Sequence, residues 1–566
     1  MAALALVGAM MTGCSSEDNV IDNPPQPENK TNVVTLTATI GFDDGVATTR
    51  AVTGTGVKTF GDGDQMAVIY QNTSGGTVKA VGTLTSGAGT KSGTFTFTLT
   101  NPDKTQNVTY IYPAAMANND GTVNYAALNS QDGTLTSLAA NLDYCTKSGA
   151  WDGGNLPTLT LENQLAILAV TLKNEAGSSD ITSGTTKLTV SDGTNTYNVT
   201  REAAAGPIYV AIRPTSDATI DITATSGGKG YYKTLTTTKS YAASNGYSVS
   251  WKMTQGANLS MLTAAYTAQN GDKLTGTLAS NVKISIADGA TVTLDGLSIN
   301  ASGSWTSGNY AGITCEGNAT ITLEGTNTVK GFANKYPGIF VSSGKTLVIN
   351  GTGELNASSN GSYDTGSGGA GIGGGDKMNC GNIEIQSGTV TATGNADGAG
   401  IGGGQNANCG DISISGGTVT ATGGYRAAGI GGGRRGTSGT KNGYDSASCG
   451  NITISGGTVT ATGGEQAAGI GGGRGNTTAY KSSCGTITIT TGVTEVTATK
   501  GSGAPNSIGA GNLGTCGTVK FGNQTMFNGS SWTTTPTSGS TYDGLSLVIS
   551  TTGSDNDTWT LTPVLP

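Results

Sequence analysis

No histidine occurs among the 566 residues. That one absence excludes Ser-His-Asp and Cys-His nucleophiles, histidine zinc sites and histidine general bases together. Charge is scarce too: Asp, Glu, Lys and Arg make up 12% of the chain, with a net charge of -8 and no basic cluster. A nucleic-acid partner, which needs a basic footprint, is therefore not expected. Proline is limited to 13 residues. Few segments carry the Leu, Glu, Lys and Ala mixture of helices. Beyond the N-terminus, no run approaches the ~20 apolar residues that a membrane helix needs.

Glycine is what the chain has instead, 93 residues of it, with abundant threonine. Short Val/Ile/Thr alternations bounded by Gly recur throughout, and they predict an all-β chain long enough for three or more domains.

The glycines are ordered. "GAGIGGG" stands at 369–375 and at 398–404, and "AAGIGGG" at 427–433 and 467–473. Aligned on the Ile, seven units appear at Ile313, Ile339, Ile372, Ile401, Ile430, Ile470 and Ile508. In the last five a Cys-Gly pair follows, at Cys380, Cys409, Cys449, Cys484 and Cys516. From Cys to the next Ile the distance is 21 residues three times and then 24; from Ile to Cys it is 8, 8, 19, 14 and 8. One side is constant and the other elastic, as in a coil with a single permissive corner. Ordering some 29 residues costs roughly 1–2 kcal/mol each. Four or five buried Ile and Val side chains return only about 1.5–3 kcal/mol apiece. A lone coil cannot fold, so the coils must stack. Stacking places Val390, Val419, Val459 and Val496 in one inward column about 4.8 Å apart. The cysteines form another column of small buried thiols.

The first two glycine runs also satisfy G-x-G-x-x-G, through Gly369, Gly371 and Gly374 and through Gly398, Gly400 and Gly403. A dinucleotide site would need a strand before them and a helix after. "GGGDKMNCGNIEIQSG" supplies another strand, so the motif reads as a solenoid corner. The coils behind the "GATVTLDG" entry resemble the parallel β-helix carbohydrate-binding repeats of bacterial surface proteins, over roughly 265–525.

The N-terminal half lacks this period and alternates like sandwich strands, as in "VVTLTATIGF" and "GTFTFTLT". "TTRAVTGTG" around Arg50, "FGDGDQMAVIY" at 60–70, "YIYPAA" at 110–115, "PIYVAIRP" at 207–214 and "NGYSVSWKM" at 245–253 together resemble the fimbrillin-like pilins of Bacteroidetes. The resemblance implies two tandem β-sandwich domains, a lipoprotein precursor and a role in fimbriae or adhesion. It makes Arg50 the position matching the family's proteolytic maturation site; the alternative is a surface arginine in a protein that never polymerises. "ALALVGAMMTGCSSEDN" resembles a bacterial lipoprotein signal, with Met11-Thr12-Gly13-Cys14 as lipobox and Cys14 as the lipidated residue. No Lys or Arg precedes the run, and Met stands where Leu is usual.

The expected organisation is all-β: a signal over 1–14, a polar linker over 15–32, fimbrillin-like β-sandwiches over 33–152 and 153–256, a right-handed parallel β-helix over 257–525, and capping strands over 526–566. The expected location is the outer membrane, lipid-anchored and surface-exposed.

Chemistry is sparse. Acid catalysis in a β-helix would want carboxylates stacked in one column, and the four regular coils have none: Asp376 aligns with Gln405, Arg434 and Arg474, and Asp397 with Arg426 and Gln466. Earlier, Asp295 aligns with Glu324 and Asp288 with Glu316; these acids suit either turns or a Ca²⁺ ion. No metal or cofactor is assigned. The two long corner loops concentrate Arg434, Arg435, Tyr444, Arg474, Tyr480 and Lys481, the make-up of a site for an acidic glycan, or else of two solvated loops. Thr391, Thr420, Thr460 and Thr497, beside Thr393, Thr422, Thr462 and Thr499, make an outward grid that resembles ice-binding faces, although any exposed strand favours Thr. The reading is a non-enzymatic adhesin or tip-like fimbrial lipoprotein that contacts a polysaccharide or host glycan, with other fimbrial subunits as further candidate partners. The alternatives are a β-helix polysaccharide lyase or hydrolase, and a spacer without a ligand.

Overall fold

A computed structural model describes residues 31–42, 59–300, 309–360, 367–436, 447–478, 480–552 and 555–564. Cys14, Arg50 and Tyr444 lie outside them. The chain is all-β and divides into two compact units.

In the first unit, alternation puts Phe95, Phe97 and Leu99 of Ser92–Thr100 inside and the intervening threonines outside. Seven strands form its sheet, which closes on itself because Val33–Phe42 pairs antiparallel with Ser92–Thr100 and parallel with Leu159–Asn163. The boundary expected at 152 therefore falls short. Leu161 of the closing strand belongs to the same core as Phe42, Phe60 and Phe95, so this unit runs to residue 165. Residues 126–138 join the second unit instead, where buried Gln131 bonds both the N–H and the C=O of Ala211.

The second unit opens with two sheets that share one strand, Gly246–Asn258. Its first part pairs in parallel with Ala166–Asn174, and Thr254 and Gln255 pair with Tyr232 and Tyr231. Its last three residues pair in parallel with Lys273–Thr277, the first solenoid strand to join this stack. The boundary expected at 256 thus falls inside a continuous strand. Buried Asp272 locks the joint by accepting from Gln255 Nε2 at 2.8 Å, Tyr266 Oη at 2.7 Å and the Gln269 N–H at 2.9 Å.

From there the chain winds as a parallel β-helix. One sheet of nine strands runs from Tyr266–Ala268 to Ile508–Gly509, and two further stacks carry the Ile383 and Val390 columns. Register is kept to the residue: Val390, Val419, Val459 and Val496 pair in sequence, as do Ile383, Ile412, Ile452 and Ile487. All are buried. The outward threonines line up in the same register, and the grid ends where Asn556–Pro563 pairs antiparallel with Val493–Thr499.

The glycine immediately after each of the last five corner Ile residues shows why the motif repeats. Gly373, Gly402, Gly431, Gly471 and Gly509 all have φ between +131° and +135°. A Cβ on any of the first four would sit 2.0 Å from the carbonyl oxygen of the equivalent glycine in the next coil. No side chain fits there.

The seven described cysteines are buried and form no disulfide, with Cys449, Cys484 and Cys516 in direct register. Neighbouring thiols and burial hold Cys409, Cys449 and Cys484 well above the usual thiol range, and burial pushes Cys315 up to about 12. A further column is polar. The side-chain oxygens of Asp288, Asn318, Asn382, Asp411 and Asn451 accept from the backbone N–H of Asn318, Thr346, Asp411, Asn451 and Thr486 in the following coil, at 2.7–3.0 Å.

The far end is closed by Gln524–Asn528 and by the hairpin of Leu545–Thr552 with Asn556–Pro563. Phe521, Met526, Tyr542 and Trp559 plug the core beneath them. Lys500, 8% exposed, clasps the hairpin through Asp555 and Asp557, both at 3.3 Å.

Gly431→Ala should lose stability beyond the ~0.5–3 kcal/mol of ordinary substitutions. Gly344→Ala, also at positive φ but in open space, should cost only about 1–2 kcal/mol. Chemical denaturation of the two variants measures the difference. Thiol titration should find the five ladder cysteines unreactive in the folded protein and all free once it is unfolded; a blocked thiol would contradict the ladder. The Gly503 N–H and Lys500 hold the Asp555 carboxyl below its usual range. Its stabilisation is therefore complete above about pH 4 and fades as pH falls through the lowered value. Hydrogen exchange of 556–563 across that window should show the hairpin loosening, and Asp555→Asn should remove the pH dependence.

Candidate functional site

The glycine corner is flanked by two columns of side chains, four residues before and four after each Ile. Before it stand Asp397, Arg426 and Gln466; after it stand Asp376, Gln405, Arg434, Arg474 and Asn512. Winding offsets the columns by one coil, so that the Arg434 N–H bonds the Asp397 carbonyl at 2.9 Å and the Arg474 N–H bonds the Arg426 carbonyl at 3.0 Å. The two columns interleave into one charged strip.

Asp397 is its hub. Its carboxylate is 1% exposed and receives Arg426 Nε at 3.1 Å, Arg434 Nη1 at 2.9 Å and Gln405 Nε2 at 3.0 Å. A carboxylate buried this deeply is tolerated only with such compensation. Two rungs on, the pattern returns without charge, Asn512 Nδ2 bonding Gln466 Oε1 at 3.0 Å.

Around the hub lie two arginine–tyrosine stacks. Arg426 sits over Tyr425 at 4.8 Å, and Arg435 over Tyr480 at 5.1 Å. Tyr425 is 40% exposed, and Glu465 at its hydroxyl raises the phenol above its usual range. Arg474 lies between the stacks, its backbone bonded to Arg426 on one side and to the Arg435 N–H at 3.0 Å on the other.

Unpartnered buried groups gather here too. Among the described residues, Asp376 Oδ1, Arg434 Nε and Arg474 Nε are buried without a hydrogen-bond partner. Burial pushes the Asp376 carboxyl up.

The structure thus brings Arg435, Arg474 and Tyr480 together on one corner, with Lys481 exposed beside them. It corrects Arg434: that guanidinium turns inward onto Asp397 and is 14% exposed, because a buried carboxylate in the coil below needs it. Tyr425 and Arg426 were missed as surface residues, although the alignment of Asp397 with Arg426 was visible in the sequence.

The early acid columns meet lysines. Lys273 spans Asp295 at 3.3 Å and Glu324 at 2.7 Å, Lys283 reaches Glu316 at 3.2 Å, and Lys345 reaches Asp288 at 3.5 Å. No group of three or more metal-ligating side chains is placed to hold an ion among the described residues.

Arg434→Ala should cost about 3–5 kcal/mol, since it uncovers half of a buried charge cluster. Arg474→Ala, which removes a guanidinium without an ion-pair partner among the described residues, should change stability by less than about 1 kcal/mol. Thermal denaturation of the two variants separates the roles.

Three segments, 383–405, 412–434 and 452–474, match the beta helix repeat family. No curated protein matches the chain. Among solved structures, a protein of Bacteroides uniformis called "putative cell adhesion protein" is 16% identical, with a TM-score of 0.25, covering 40% of this chain and 94% of its own. Like-named proteins of Bacteroides ovatus and Bacteroides fragilis are each 12% identical with TM-scores of 0.24, covering 40% of this chain and 96% and 95% of theirs.

Proposed function

We propose that this chain is a non-enzymatic surface adhesin in which the sandwich half presents the β-helix and the charged corner binds a polysaccharide or host glycan. The observation that carries the reading is the pair of arginine–tyrosine stacks with Arg474 between them, in a domain otherwise poor in charge. Aromatic faces bind sugar rings, and guanidinium forks bind anionic or hydroxyl groups. A spacer has no need of such a concentration. Against catalysis stand the missing histidine and the lack of stacked acids on the regular coils.

In this reading Cys14 carries the lipid that anchors the protein in the outer membrane, surface-exposed, and two or more acyl chains suffice for a stable anchor. Cleavage after Arg50 and assembly with other fimbrial subunits belong to the same proposal.

A glycan array probed with the purified chain tests the function. Replacing Tyr425 and Tyr480 with Ala should weaken binding without altering its salt dependence, whereas removing Arg435 should flatten it. Binding to no glycan favours the spacer, and cleavage of a bound one favours the lyase or hydrolase. Cys14→Ser should release the protein from membranes; a variant that still fractionates with them overturns the anchor.

A further inference from the structure

We infer that the corner reads a single carboxylate group of an acidic sugar, with Arg474 as the residue that binds it. The inference rests on the glycan-binding reading and narrows it to a ligand class and a residue.

Four guanidinia meet at the corner, and three are committed. Arg426 and Arg434 both face Asp397, and Arg435 is stacked on Tyr480. Arg474 forms no ion pair with any described residue, and its Nε is buried without an acceptor. An unmade hydrogen bond on a charged donor is costly, so the group favours whatever acceptor reaches it. Its backbone is fixed on both sides by the Arg426 carbonyl and the Arg435 N–H, which limits the positions its fork can take. A preorganised guanidinium matches a planar carboxylate through two parallel hydrogen bonds.

The surroundings select for low charge density. Of the four guanidinia Arg474 alone offers a free fork, so the site pairs with one planar negative group, while Arg435 and Lys481 add only general attraction. Glu465 stands at the rim, against the Tyr425 hydroxyl and 3.4 Å from Gln466 Nε2, and repels a second. A densely sulfated chain meets that carboxylate, whereas a sugar acid with one carboxylate per residue places its single charge on Arg474. Tyr425 and Tyr480, each stacked with an arginine, then offer ring faces to the sugar.

The test is calorimetric titration of the full chain with a panel of uronic- and sialic-acid oligosaccharides, their methyl esters, and sulfated neutral oligosaccharides of equal length. The free acids should bind, with at least tenfold weaker binding of the esters and of the sulfated sugars. Arg474→Ala should weaken binding of the acids at least tenfold while the protein melts normally, and Arg474→Lys should not restore it, since a point charge lacks the fork. Equal binding of acids and esters, tighter binding of sulfated sugars, or wild-type affinity in Arg474→Ala overturns the inference and leaves a glycan-binding corner standing. Failure to bind any sugar on the panel or on the array overturns both.

Discussion

At the corner of four successive coils, a backbone carbonyl oxygen of the next coil occupies the place where a Cβ would stand. The 2.0 Å clearance at Gly373, Gly402, Gly431 and Gly471 allows only hydrogen there. That close approach sets the register of the corner, and the flanking strands inherit it. Once the glycines stack, the Ile, Val and Cys side chains fall into axial columns and fill the interior without further instruction. The charged strip depends on the same register. A shift of one residue would part Asp397 from Arg426 and Arg434 and strand a buried carboxylate.

Stacked coils bring the liability of open ends, and the molecule meets it differently at each. At the start, one strand belongs both to the sandwich sheets and to the solenoid, so the first coils continue an existing sheet. At the finish, pairing reverses: an antiparallel hairpin lies across the last coil and ends the parallel edge that another chain could extend. Lys500 and the aromatic plug hold it in place.

Much of this was legible in the sequence because glycine spacing and alternation report backbone geometry directly. The corner Ile series, the inward valines and the thiol column follow from counting residues. Domain limits were less legible. Leu159–Asn163 reads like any other alternating strand, and only its pairing with Val33–Phe42 assigns it to the first unit. The site was half legible: composition marked the arginine-rich loops, but which guanidinium turns inward depends on the carboxylate one coil below. Arg434 and Arg474 occupy equivalent positions in neighbouring repeats. They differ because Arg434 follows a coil carrying Asp397 and Arg474 follows one carrying Arg426.

The column of asparagine and aspartate oxygens gives the solenoid a direction. Each of these side chains accepts from the coil that follows it in the chain. A coil already in place offers an ordered acceptor and an open strand edge to residues arriving some thirty positions later, while the earlier end is held by the sandwich. Contacts of such short sequence separation form quickly. A chain delivered N-terminus first can therefore wind as it emerges, each turn templating the next, and needs its C-terminus only to stop.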